Sequence, residues 1–390
     1  MKSRTALLIA STVVVLLLLG GGLAFRAGAT DKSFHQVSRF EEVFDLVQQN
    51  YVDPVNAETL LEGAYEGLLG GLDVNGTYLT PREVEEWTAP APDSADPGLL
   101  VLKSYGALQV VRVVPGSPAE AAGIERGDQV RRVDGRVLRD MSLEQAVRLL
   151  RGKPGTTVTL GLLRLQEGLE REDVAVKRVR RTEPAFRLDV QDDTVVLTVS
   201  DLGRVSPTDV TDALRDARVK GAARLLLDVR DVVEGTPREA GPLLGLFVSG
   251  EVLRLKEHDG RVIETISAGK GDTPPWSKPV AVLVNGATAG GAEAIARVLQ
   301  GHRGASVYGE PSYGVAAESK LFRLSGGAGF LLPALLWETP AGATWEGDGV
   351  KPDVVLTAER SKDASQEQLR RAIEEFRKAK TSAVPPQKAA

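Results

Sequence analysis

The 390-residue chain has no cysteine, which removes disulfides, thiolate zinc sites, iron–sulfur clusters and cysteine nucleophiles together. Histidine is almost as scarce: His35, His258 and His302 are too scattered to form a metal cluster, so neither a metal nor another cofactor is expected. Any reaction chemistry falls to Ser, Thr, Lys, Asp or Glu. Charge of one sign is missing as well, because 48 Lys plus Arg against 53 Asp plus Glu leave a net −5. No basic field is available to hold phosphates by counterion release, so nucleic acid is not expected as a partner. Apolar runs of membrane-spanning length are absent with one exception, Ala6 to Phe25, which follows Lys2 and Arg4 and contains no charge. That run reads as a membrane anchor or, given Ala27-Gly28-Ala29 after it, as a cleavable export signal. Lys2 and Arg4 before the run against Arg26 and Lys32 after it give a weak positive-inside bias, which points to a body of the chain outside the cytoplasm.

The length calls for two to three domains. Residues 1–29 form the signal peptide or anchor, and residues 30–87 read as a helical module with Phe34, Val37, Phe40, Val43, Phe44 and Val47 along one face. Residues 88–97 (TAPAPDSADP) read as a linker. Residues 98–180 have a β-rich texture of short β-branched runs and glycine–aspartate turns with one helix, Ser142 to Leu150. Residues 181–360 alternate apolar strands with amphipathic stretches, as an α/β core requires. There Pro279 to Val284 is a strand buried on both faces, and the loop after it feeds a helix starting at Gly291, an end with free N–H groups and a positive dipole. Residues 361–390 are expected to be a charged helix followed by a disordered tail from Thr381, with Arg370, Arg371, Glu374, Glu375 and Arg377 on a solvated face.

The order Gln109 to Val114, Pro115-Gly116-Ser117-Pro118-Ala119, Gly127-Asp128 and Gly152-Lys153-Pro154-Gly155 resembles a PDZ domain of the bacterial protease type. Such a domain adds a peptide tail to a sheet edge and holds its carboxylate in a glycine turn. The resemblance places peptide binding at Gly98, Leu99, Leu100, Leu143 and Val147; Leu100 stands where the usual Gly-x-Gly has its second glycine. With Tyr51-Val52-Asp53-Pro54, Leu227-Asp228-Val229-Arg230, Asn285-Gly286-Ala287-Thr288-Ala289, Gly309-Glu310-Pro311 and Gly349-Val350-Lys351-Pro352-Asp353, the chain resembles the C-terminal processing (tail-specific) peptidase family from about Phe40 to Leu356. That resemblance implies an α/β core of the crotonase or Clp-protease kind with an inserted PDZ-like domain, in an exported or inner-membrane-anchored protein facing the periplasm of a bacterial envelope.

It also implies a serine nucleophile and a lysine base, and both are missing. Thr288-Ala289-Gly290-Gly291-Ala292-Glu293 puts Gly290 at the nucleophile position, and Gly314-Val315-Ala316 puts Val315 at the base position. Positions 290 and 315 keep the family spacing of 25, so no catalytic pair is intact. The oxyanion positions are Glu234, Gly235 and Gly291, with Glu234 replacing a glycine. Thr288, Ser312 and Lys320 are weak substitutes, since Lys320 has the opposite strand parity to Val315. Glu293, Asp228 and Arg230 read as a helix-start acid and a strand-end ion pair. The sequence therefore points to a pseudo-peptidase that binds protein or peptide C-termini, with an active family peptidase as a possible partner. An active serine-type endopeptidase with a non-standard nucleophile and a purely structural envelope protein stand as alternatives.

Overall fold

The computed structural model describes residues 37–72, 75–90, 95–164, 169–219, 221–269, 274–357 and 363–379. The apolar run from Ala6 and the tail from Thr381 lie outside them. Residues 1–68 and 69–390 form separate compact units. In the first, α1 (37–50) carries the expected apolar stripe, and Val37, Phe40, Val43 and Leu46 on it are solvent-exposed. Helix α2 (Ala57–Gly70) begins where the Asn56 side chain accepts the Glu58 N–H, and it runs to the first of the two expected stop glycines.

The second unit opens with β1 (Thr77–Leu79) and α3 (Pro81–Thr88). Thr80 starts α3 by a reciprocal cap with Glu83 ahead of a proline at the first turn. Next comes the β-rich domain: β2 (Leu99–Ser104), β3 (Ala107–Val113), α4 (Pro118–Ala121), β4 (Gln129–Val133), β5 (Arg136–Val137), α5 (Leu143–Leu150), β6 (Thr157–Arg164) and β7 (Leu169–Lys177). The sheet order is β2-β3-β4-β6-β7, with β5 on β4, so β2 is an edge. Ser142 and Gln145 cap α5 reciprocally, fixing where that helix begins. The stretch read as a linker is tied down at both ends: Thr88 closes α3, while Ala95 pairs with Gly152 and Asp96 with Val179.

The core follows: β8 (Phe186–Gln191), β9 (Thr194–Val199), α6 (Pro207–Val219), β10 (Arg224–Asp228), α7 (Pro237–Leu244), β11 (Gly250–Lys256), β12 (Val262–Ala268), β13 (Val280–Val284), α8 (Gly291–Arg303), β14 (Ser306–Gly309), β15 (Ala317–Arg323), β16 (Gly329–Glu338), β17 (Val354–Val355) and α9 (Ala364–Lys378). The central sheet runs β17-β14-β13-β10-β9-β8, parallel except for β8. β13 is covered on both faces, as its unbroken apolar run requires. Val280, Val282 and Val284 pack with Ile295, Val298 and Leu299 of α8, whereas Ala281 and Leu283 pack with Ile373 and Phe376 of α9. Helix α9 thus buries an apolar stripe on the sheet and turns its charges outward. A second, antiparallel sheet, β1-β16-β11-β12 with β15 on β16, lies beside the first.

Candidate active site and peptide groove

The loop leaving β13 is pinned by Thr288, whose Oγ1 accepts the Asn285 N–H at 3.0 Å and donates to the Val229 carbonyl at 3.0 Å. It then turns sharply at Gly290, φ +58° and ψ −121°, into α8. That conformation suits glycine and strains any other residue. A Cβ at position 290 would also come within 2.8 Å of the Gly235 carbonyl oxygen. Val315, on the segment between β14 and β15, lines the same cavity of about 480 Å3 as Gly290. The fold brings the two degenerate positions together, and neither offers a hydroxyl or an amine.

The substitutes are occupied elsewhere. Thr288 is fully buried in its two bonds. Ser312 Oγ donates to Glu293 Oε1 and accepts the Val350 N–H at 2.6 Å. Lys320 pairs with Glu257 at 2.6 Å and does not line the cavity. Asp228 and Arg230 form a 2.7 Å ion pair, and Arg230 continues to the Ser365 carbonyl and Gln368, closing a strand end against α9.

Glu293 does more than its sequence position suggests. It is fully buried; Oε2 accepts the N–H groups of Gly290 (2.9 Å) and Val315 (2.8 Å), and Oε1 accepts that of Gly314 (2.6 Å). One carboxyl thus holds the backbone of both degenerate positions. Burial pushes its pKa up to about 7, against the pull of these donors toward the ionised form. The legible signal was the glutamate three residues after the helix-start glycine, which reaches back as in a capping box.

One of the oxyanion positions, Gly291, is closed. Gly291 N–H, the expected donor, is 2.8 Å from the Gly235 carbonyl, and Ala289 N–H is 2.9 Å from that of Val232. The turn is zipped onto the nucleophile loop. Glu234, which replaces a glycine of the oxyanion turn, pairs with Arg151 at the end of α5 (2.8 Å) and with Arg181 (3.5 Å). Asp231 on the same turn is 3.3 Å from Arg126. Arginines from the β-rich domain and from the segment between β7 and β8 hold both acids.

Leu143 and Val147 of α5 line the cavity together with Val101 of β2, Gly290 and Val315. Gly98, Leu99 and Leu100 do not line this cavity. Leu99, 3% exposed, points into the β-rich domain's own core. Leu100, 2% exposed, packs with Leu102 and Val111 on Ala287 and Ala289 of the nucleophile loop. A leucine in place of glycine supplies a side chain apolar enough to be buried between domains. The Gly98 N–H is itself occupied, donating to Asp96 Oδ1 at 2.7 Å, and Asp96 pairs with Arg181 at 2.8 Å. Burial raises the Asp96 carboxyl above its ordinary value, with Arg181 opposing that shift. Among the described residues no group of three or more His, Asp or Glu is placed to hold a metal ion.

Residues 193–356 match Peptidase family S41, residues 109–164 a PDZ domain, and residues 24–78 the activating protease CtpB N-terminal domain. The core is a peptidase family S41 domain. The chain is 27% identical over 331 residues to a carboxy-terminal-processing protease of Bartonella bacilliformis, covering 83% of this chain and 76% of that one. It is 26% identical over 324 residues to a probable CtpA-like serine protease of Staphylococcus aureus, covering 82% of this chain and 64% of that one. The solved photosystem II D1 C-terminal processing protease shares the S41 fold, with a TM-score of 0.60 at 23% identity over 82% of this chain and 92% of that one.

Proposed function

We propose that this chain is a pseudo-peptidase of the C-terminal processing group, held in or exported to the bacterial envelope, that binds protein tails through its PDZ-side groove without cutting them. One observation carries the reading: the groove residues Leu143 and Val147 open into the same cavity as Gly290 and Val315, positions that offer neither a serine hydroxyl nor a lysine amine. The closed Gly291 N–H supports it, since a tetrahedral oxyanion would find that donor taken. The apolar run from Ala6 to Phe25 supports an extracytoplasmic place, where the partner would be an active relative cutting the same tails. The test uses fluorescent apolar peptides and unfolded substrate proteins. The full chain should bind the peptides and leave every substrate uncut. Val147→Asp should weaken binding about tenfold or more, by placing a charge in an apolar channel, with an unchanged melting transition. Cleavage that survives mutation of both Thr288 and Ser312 would overturn the reading.

A further inference from the structure

The walls of the cavity are not neutral. Carboxylates from three elements, a loop and a turn line it: Glu144 on α5, Asp201 in the loop before α6, Glu234 on the oxyanion turn, Glu239 on α7 and Glu318 on β15. Only Arg148 and Arg151 line it with the opposite charge. Both guanidiniums are engaged within the chain. Arg148 donates to the carbonyls of Glu86 and Ala89 at 2.8 Å each and lies over the Trp87 ring, and Arg151 is spent on Glu234. On the acidic side, Asp201 is paired with Arg204 and Glu318 with Arg238. Glu144 and Glu239 have no Lys or Arg within salt-bridge distance among the described residues. Loss of hydration at the wall, and then the neighbouring Glu318 carboxylate, raises the Glu144 carboxyl above its ordinary value. The same wall holds Trp337, 4% exposed, whose indole Nε1 is buried with no hydrogen-bond partner. An unsatisfied buried donor of this kind calls for an acceptor, such as a ligand carbonyl. The rest of the lining that faces α5 is apolar: Val101, Leu143, Val147, Val233 and Ala289.

We propose that the groove selects peptide tails that alternate apolar residues with a basic side chain, the base meeting Glu144 on the first turn of α5. This rests on the tail-binding reading above and adds the ligand's charge to it. The apolar positions supply affinity along Val101, Leu143 and Val147. The basic position supplies specificity, because an acidic side chain there would face like charge.

The test measures binding of three fluorescent pentapeptides to the full chain at low salt, identical except for Lys, Gln or Glu at the central position of an otherwise apolar tail. The Lys tail should bind about tenfold tighter than the Glu tail, with Gln between them, and the gap should narrow as salt is raised. Glu144→Gln should reduce the Lys advantage about threefold or more and leave the Gln tail unchanged, which separates charge selection from loss of fold. Equal affinity for all three tails, or a preference for Glu, overturns the charge selection and leaves tail binding standing. No binding of any tail overturns both.

Discussion

Two backbone donors that could receive an anion, one in the core and one at the start of the PDZ sheet, are both filled by the chain itself. In the core, the Gly291 N–H takes the Gly235 carbonyl. At the start of the PDZ sheet, the Gly98 N–H takes the Asp96 carboxylate. The fillings differ in strength. A carbonyl is a neutral acceptor, and a hydrogen bond to it contributes a net of about 1 kcal/mol. Asp96 is a buried charge with its own counter-ion, Arg181, at 2.8 Å, and stripping one partner from such a pair typically costs about 3–5 kcal/mol. The core is closed by a contact that could open, whereas the PDZ loop is closed by part of the domain's framework. One N–H on each side is engaged within the chain, by a neutral carbonyl in the core and by a buried carboxylate in the PDZ domain.

The largest expected effect tests the reversible side. The unmodified chain should hydrolyse no peptide substrate, because losing either a nucleophile or its base typically costs on the order of 10⁶ in turnover. Gly290→Ser alone should remain at background. Its Cβ enters a positive-φ position 2.8 Å from the Gly235 carbonyl, and the new hydroxyl has no base. Gly290→Ser with Val315→Lys restores both groups, yet cleavage of a fluorogenic peptide should stay about 10²–10³ below that of an intact serine–lysine enzyme while the Gly291 donor is engaged. Full activity in that double variant would show that the turn opens freely, and the core side of the comparison would fail.

Glu293 sharpens the contrast with Asp96. Both carboxyls accept backbone N–H groups in buried sites, but among the described residues Glu293 has no cationic partner, and its pKa rises from 4.5 to about 7. A raised carboxyl means that the folded state binds the proton more tightly than the unfolded chain. The stabilisation is therefore complete below about pH 4.5 and is lost as pH rises through about 7, up to about 3 kcal/mol in all. Denaturant midpoints should fall between pH 5 and pH 8, and Glu293→Gln should flatten that slope. The variant should also be less stable at pH 5, because its amide nitrogen brings donors among the N–H groups of Gly290, Gly314 and Val315. An unchanged slope in the variant would move the pH dependence to another group.

Much of this architecture was legible in residue pattern. The apolar run of β13 and the glycine-led start of α8 marked the nucleophile loop, and the 25-residue spacing placed Gly290 and Val315 in one site before any geometry was known. β2 was not legible as a strand. Leu99 and Val101 face the PDZ core while Leu100 and Leu102 face the core domain, so both faces are apolar and the period-two alternation that reveals a half-exposed strand disappears. For the same reason Leu100 passed for a damaged carboxylate loop when it is an interdomain contact. The bonds of Glu293 to the Gly314 and Val315 N–H groups, and the approach of the Gly235 carbonyl to Gly291, were missed because they depend on which distant backbone groups come together, and no local pattern encodes that. The partners of Glu234 are likewise long-range: Arg151 and Arg181 lie 83 and 53 positions earlier.

The smallest expected effect concerns the residue that joins the two regions. Glu234 stands on the core's oxyanion turn, pairs with Arg151 at the end of the groove helix, and shares Arg181 with Asp96. If the core closure is the soft one, removing this link should cost little. The Glu234 and Arg151 side chains are both about one-third exposed, and ion pairs in that setting contribute about 0–1 kcal/mol. Glu234→Ala should therefore lower stability by no more than about 1 kcal/mol, with the difference shrinking as salt rises. The Asp96–Arg181 pair should remain, because its 2.8 Å contact is shorter and more buried than the 3.5 Å contact Arg181 makes to Glu234. A loss of several kcal/mol that salt leaves unchanged would show instead that Glu234 belongs to the same buried framework as Asp96. The distinction between a soft core closure and a hard PDZ closure would then collapse into a single interdomain lock.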